Sequence, residues 1–241
     1  ARAPPRAVGV ARAPPSMAAD AESFGDLLAK ARAGDWEAKR SALEALGRRA
    51  AEGPEEDVAE ASKVAVECLD DEESYVRRAA LGCAVRLAAL GTKAAREEVL
   101  ARALRLLGDG DWGVQRIALS AIGELADQGD ALALERLEPF LGDKDDDVRI
   151  AAVAALGKLG TPGDAASLGQ AAKLLDDDDE GVRKAAIRAF ARLAPPGDDG
   201  AIARLVAVAR AEDDPDTRRV AASAVAQLRA AGAPAQPESG G

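Results

Sequence analysis

An all-α solenoid of about six helix pairs is predicted by three observations on the 241-residue chain. Its apolar content is carried by alanine and leucine, one pattern recurs along it, and its apolar residues fall at helical spacing. Hydrophobic residues make up 48% of the chain but aromatic residues only 2%. Alanine is the best helix former, whereas the β-branched and aromatic residues that favour strands are scarce. Small side chains also let helices approach closely, so this composition suits stacked helices and not a sheet.

The recurrence is plain when six segments are aligned on the residue before a basic position. Those residues are Ala38, Val76, Val114, Val148, Val182 and Thr217, with spacings of 38, 38, 34, 34 and 35 residues. A period of this length fits two helices and two short turns per unit. The first unit is an amphipathic stretch over 21–33 followed by GDWEAKRSALEALG. After a break at Gly53–Pro54, the second joins 55–69 to DEESYVRRAALGCAVRLAALG, closing at Gly91. The third runs from 93–107, which contains VLARALRLL, into DGDWGVQRIALSAIGELADQG, closing at Gly129. The fourth joins 130–141 to DKDDDVRIAAVAALGKLG, closing at Gly160; there Val148, Ala152, Leu156 and Leu159 form one face, widened by Ala151 and Ala155. The fifth joins 164–175 to DDDDEGVRKAAIRAFARLA, before Pro195–Pro196–Gly197. The sixth joins 199–211 to EDDPDTRRVAASAVAQL.

Each second helix is expected to open on an acidic residue three places before the aligned position. Asp35, Asp111, Asp145, Asp179 and Asp214 can accept from the free amides of the first turn and favour its positive dipole end. Losing one such cap should cost about 1 kcal/mol. Glu73 is the exception, and Ser74 beside it is an alternative cap. Pro215 follows Asp214 at the first helical position, where proline is welcome.

These segments resemble the HEAT-repeat family, most closely in DDDVRIAAVAALGKLG at 145–160 and DEGVRKAAIRAFARLA at 179–194. The resemblance spans about residues 20–230 and implies a right-handed α-solenoid with second helices lining the concave side. It also implies that the basic residue after the aligned position bonds the turn aspartate of the adjoining repeat, making an internal ladder. The end repeats depart most, because Ala38 and Thr217 replace valine and Arg49 stands where the others have leucine. Terminal repeats with a solvent-facing side are expected to be atypical.

The domain reading is therefore an extension over 1–19, a solenoid over 20–230 and a tail over 231–241. The first sixteen residues, rich in Ala, Pro and Arg and without acids, cannot form a core. Met17 is expected to be the translation start, leaving 1–16 as an added extension. Read as native, the same stretch matches a remnant of an organelle transit peptide. The expected compartment is the cytoplasm, or an organelle under that second reading.

Function is bounded first by absences from the sequence. The chain has no histidine, which removes the usual neutral-pH base and the commonest imidazole ligand. Its two cysteines, Cys68 and Cys83, are too few for a tetrahedral thiolate site and are expected to be free thiols in packed helices. The Asp-rich turns do not make a calcium loop. A loop begun at Asp176 has Ile187 where the twelfth ligand belongs, and one begun at Asp143 has Val148 in place of the glycine. No phosphate-cradling glycine loop appears and no carboxylate pair stands out, so neither cofactor nor catalysis is expected. No apolar run approaches the roughly 20 residues a membrane span needs.

Basic residues on the second helices remain. The first column reads Lys39, Arg77, Gln115, Arg149, Arg183 and Arg218, the position the family uses for its ladder. The second reads Arg40, Arg78, Arg116, Ile150, Lys184 and Arg219. Arg86, Lys158, Arg188 and Arg192 lie further along. These residues predict a basic concave stripe on a protein of net charge −10. Arginine forks suit carboxylates and phosphates, so an acidic or phosphorylated segment of another protein is the expected partner. Trp36 and Trp112 occupy equivalent places; each either packs across a turn as an anchor or serves as an exposed binding hot spot.

An interaction scaffold is accordingly the leading reading. Nucleic-acid binding on a basic concave face is disfavoured by the negative charge and the lack of interleaved aromatics. A pigment-attachment role like that of bilin lyase subunits rests on generic repeat similarity alone. The iron-dependent deoxyhypusine hydroxylases of HEAT type are excluded by the missing histidines. Neither the oligomeric state nor the partner's identity is written in the sequence.

Overall fold

The computed structural model describes residues 22–51 and 54–232. The readings made for 1–19, for the tail beyond Gly232 and for Gly53 lie outside the described residues. Twelve α-helices follow in six pairs: α1 (Phe24–Ala33) with α2 (Trp36–Arg48), α3 (Glu55–Glu67) with α4 (Ser74–Leu90), α5 (Lys93–Leu106) with α6 (Trp112–Leu125), α7 (Ala131–Leu137) with α8 (Asp146–Leu159), α9 (Ala165–Lys173) with α10 (Glu180–Leu193), and α11 (Asp199–Ala211) with α12 (Pro215–Gly232). Three first helices tighten into 3-10 turns at Cys68–Asp70, Glu138–Gly142 and Leu174–Asp176. The sequence had carried the helix through these residues. At the second turn Pro139 has no amide to donate, which shortens α7 to seven residues.

The architecture is a right-handed α-solenoid with one continuous core. The aligned residues Val76, Val114, Val148, Val182 and Thr217 are all 0% exposed. Two turns further, Leu46, Ala84, Ile122, Leu156, Phe190 and Val225 are buried in register. Burying one such aliphatic side chain contributes about 1.5–3 kcal/mol, so each repeat is held by its neighbours' apolar faces.

Packing is densest between successive second helices, which form one unbroken row, whereas first helices pack mainly against their own partners. Glycine permits the close approach. A Cβ on Gly157 of α8 would lie 2.7 Å from the Cα of Ala189 on α10. The far ends of the second helices are joined by backbone. Gly129, Gly163 and Gly197 have φ of 83°, 87° and 72°, a left-handed conformation that glycine alone adopts without strain. Their N–H groups donate to Leu159, Leu193 and Leu228 of the next repeat at 2.7, 2.8 and 3.1 Å. Each glycine thus staples its turn to the last core leucine of the following second helix. The aspartate after each glycine then caps the next first helix, through Asp130, Asp164 and Asp198.

The terminal departures have local causes. Thr217 donates its hydroxyl to Asp214 at 2.6 Å, which satisfies a polar group at a core position. Arg49 donates to the Glu22 carbonyl at 2.7 Å and lies 5.9 Å from the Phe24 ring, tying α2 to the open end of the solenoid.

Candidate functional site

The acidic caps come first, because they set where each second helix begins. Asp35, Asp111, Asp145, Asp179 and Asp214 accept from the amides of Ala38, Val114, Val148, Val182 and Thr217 at 2.6–3.2 Å. Helix α4 has no side-chain cap from Glu73, and Ser74 is its first residue. Asp71 instead accepts from the Glu73 amide at 3.0 Å.

From the second repeat on, an acid stands two residues before the one that opens each second helix, and four of these five acids close an inter-repeat ladder. Arg77 grips Asp109 through two hydrogen bonds of 2.8 Å. Arg149 grips Asp177 at 2.8 and 3.0 Å, and Arg183 grips Glu212 at 2.8 and 2.9 Å. Lys39 reaches Asp71 at 2.7 Å. Each arginine also donates to carbonyls of its own turn, as Arg149 does to Asp143, so every rung fixes two loops. Burial pushes the carboxyls of Asp109 and Asp177 up, but the arginine and a backbone amide outweigh it and hold both below the usual range. The Arg183 hydrogen bond does the same for Glu212. One rung is missing: Gln115 bonds only the Asp109 carbonyl of its own turn, at 2.7 Å.

The remaining basic residues do not form one stripe. Positions two, six and ten after the aligned residue share a face of each second helix. In the fourth repeat this face offers Ile150, Ala154 and Lys158, and Lys158 lies 3.7 Å from Glu124. The fourth repeat therefore splits the arginines into two clusters. The N-terminal one lines a groove of about 290 Å³ with Arg40, Arg78, Arg86 and Arg116, drawn from α2, α4 and α6. The C-terminal one lines a groove of about 460 Å³ between α10 and α12 with Arg188, Arg192, Arg219, Ser223 and Gln227. No carboxylate lines this second groove. Arg78 and Lys184 lean on the caps of the next repeat, 3.4 Å from Asp111 and 3.8 Å from Asp214. Arg219 pairs with Asp216 at 3.0 Å.

Aromatic side chains stand at the same end of the first three second helices, and of these the sequence pattern did not single out Tyr75. Trp36, Tyr75 and Trp112 are 40%, 50% and 47% exposed at the starts of α2, α4 and α6. The Trp36 and Tyr75 rings pack with centroids 5.6 Å apart and planes tilted by 34°, and Arg78 lies 4.6 Å over the Tyr75 ring. Of the two readings given to the tryptophans, exposure on one edge is the one the structure matches. The signal was the shared offset from the aligned residue; Tyr75, one place later, was hidden among the acids of its turn.

Both cysteines are buried free thiols. Burial raises Cys68 and pushes Cys83, at the floor of the first groove, up to about 12, so neither is a nucleophile at neutral pH. No group among the described residues could hold a metal ion. No helix among them is long and apolar enough to cross a membrane.

A family model described as HEAT repeats matches residues 83–157, 99–173 and 163–226. No curated protein sequence matches the chain. Among solved structures, an engineered protein is 24% identical with a TM-score of 0.59, the match covering 87% of this chain and 97% of that one. A designed armadillo repeat protein in complex with a (KR)4 peptide is 22% identical with a TM-score of 0.60, covering 86% and 100%. An archaeal HEAT-like repeats protein from Thermococcus onnurineus NA1 is 16% identical with a TM-score of 0.55, covering 87% and 88%.

Proposed function

Since the chain belongs to the HEAT-repeat family, we propose that it is an interaction scaffold whose second-helix row takes an acidic, extended segment of a partner protein. The observation that carries this reading is the C-terminal groove, where three arginines gather without a lining carboxylate on a protein of net charge −10. Arg188 and Arg192 are exposed and one turn apart on α10, with no partner among the described residues. Repeat solenoids present such extended surfaces because each unit packs only on its neighbours. A designed armadillo protein of similar fold is seen with a basic peptide; the arginine grooves here favour a ligand of the opposite sign. The break at the fourth repeat, where Ile150 and Ala154 interrupt the arginines and Lys158 lies beside Glu124, argues against nucleic acid, which needs a continuous basic track.

The test is fluorescence anisotropy with labelled oligoglutamate and oligolysine peptides on the full chain. Oligoglutamate is expected to bind, more weakly as salt rises, and Arg188→Glu with Arg192→Glu should abolish binding while circular dichroism stays native. Equal binding of both peptides, or full binding by the natively folded variant, overturns the assignment.

A further inference from the structure

We propose that the N-terminal groove is a phosphoryl-binding site with an aromatic shelf, which receives a phosphorylated residue of a partner segment. This rests on the scaffold reading above and specifies what one end of its surface recognises.

The argument begins from charge. Arg40, Arg78, Arg86 and Arg116 converge on one groove from three successive helices, and Glu44 is the only carboxylate in its lining. Glu44 itself lies 3.9 Å from Arg48, outside that lining. Arg40, Arg86 and Arg116 have no acidic partner among the described residues, while Arg78 has only the Asp111 contact. The Nε atoms of Arg78 and Arg116 are buried and make no hydrogen bond. Elsewhere the same protein pairs its second-helix arginines with care, as in the ladder. Four guanidinium groups gathered in about 290 Å³ repel one another unless an anion joins them.

The number of donors selects the anion. A carboxylate brings one charge and two oxygens. A phosphoryl group brings nearly two charges and three acceptor oxygens, and arginine forks engage such oxygens two at a time. Beside the groove stand two of the three tryptophan and tyrosine side chains of the chain, Trp36 and Tyr75, exposed and packed on each other. Tyr75 also lines the groove itself. Exposed Trp, Tyr and Arg together are the residue types that dominate binding energy at interfaces. A ring borne by the phosphorylated residue, or by its neighbour, has a flat surface to lie on while the phosphoryl group enters the groove.

The experiment uses the full chain carrying Trp112→Phe, so that Trp36 is the sole tryptophan. Its emission is followed during titration with phenyl phosphate, inorganic phosphate and benzoate. Phenyl phosphate is expected to change the emission saturably, with inorganic phosphate and benzoate each at least tenfold weaker. Arg40→Gln with Arg86→Gln should raise the phenyl phosphate Kd at least tenfold, since both side chains are exposed and have no acidic partner among the described residues. Arg96→Gln, exposed on α5 and lining neither arginine groove, should leave that Kd unchanged. Benzoate binding as tightly as phenyl phosphate, or a Kd indifferent to the Arg40/Arg86 pair, overturns the site. Displacement of phenyl phosphate by a single-stranded oligonucleotide at lower concentration than by a phosphotyrosine peptide overturns the protein partner. The two readings fail separately. Phenyl phosphate binding without oligoglutamate binding keeps this site and removes the acidic-segment scaffold, and the reverse result does the opposite.

Discussion

Gly163 carries its repeat through one backbone angle. Its φ of 87° lets its amide reach the Leu193 carbonyl, yet a Cβ there would find its nearest neighbour, Pro195, at 3.8 Å. Gly163→Ala therefore adds strain without a clash and should lower stability by about 1–2 kcal/mol, measured by urea denaturation. Gly25→Ala, on an exposed helix face with only Ser23 near at 3.8 Å, is the control and should be neutral or stabilising. Residues of this kind were hard to read in advance. Aspartate caps announce themselves three places before the first core valine, whereas a left-handed glycine in a turn leaves no periodic trace. The exposure of Trp36 and Trp112 was equally hidden, because residue type alone favours burial and only the stacked helices show which edge the turns occupy.

Between elements, the ladder makes stability depend on pH. Asp109, Asp177 and Glu212 sit below their ordinary values when folded, so their contribution is complete above the unfolded carboxylate values of about 4. It is lost as pH falls through the lower folded values. Tm should accordingly stay nearly level between pH 6 and 8 and fall as pH drops through about 4 and below, as seen by thermal melts. Asp109→Asn, which breaks a rung whose side chains are 17% and 8% exposed, should cost about 2–3 kcal/mol, below the cost for a wholly buried pair. Gln115→Arg should add the missing rung to Asp143 and raise stability by about 1 kcal/mol. The ladder was implied by the family resemblance together with the column of basic residues, in which Gln115 stands where the others carry a charge. What the columns could not show is that positions two, six and ten share a surface, which turns the expected stripe into two clusters parted by Ile150, Ala154 and Lys158.

For the whole molecule, the repeat count and helix order were legible because each unit restates the same apolar spacing in register. The uneven period of 38 and then 34 residues also had a structural meaning that spacing alone did not disclose. Among the described residues, the glycine staples occur only from the third repeat onward. Among the described residues, the last two junctions have both staple and ladder, the first two show the ladder alone, and the third shows the staple alone. Hydrogen exchange should therefore find the amides of α8 and α10 better protected than those of α2 and α4, and equal protection along the solenoid would contradict this ranking. Ladder and staple lie at opposite ends of second helices of 14 residues, about 20 Å apart. A leaf fastened along both margins is a rigid panel, whereas one fastened along a single margin swings about it like a door on its jamb. The Arg188–Arg219 groove thus lies in the part of the molecule fastened along both margins. The Arg40–Arg116 groove spans the first two junctions, where, among the described residues, only the ladder margin is fastened.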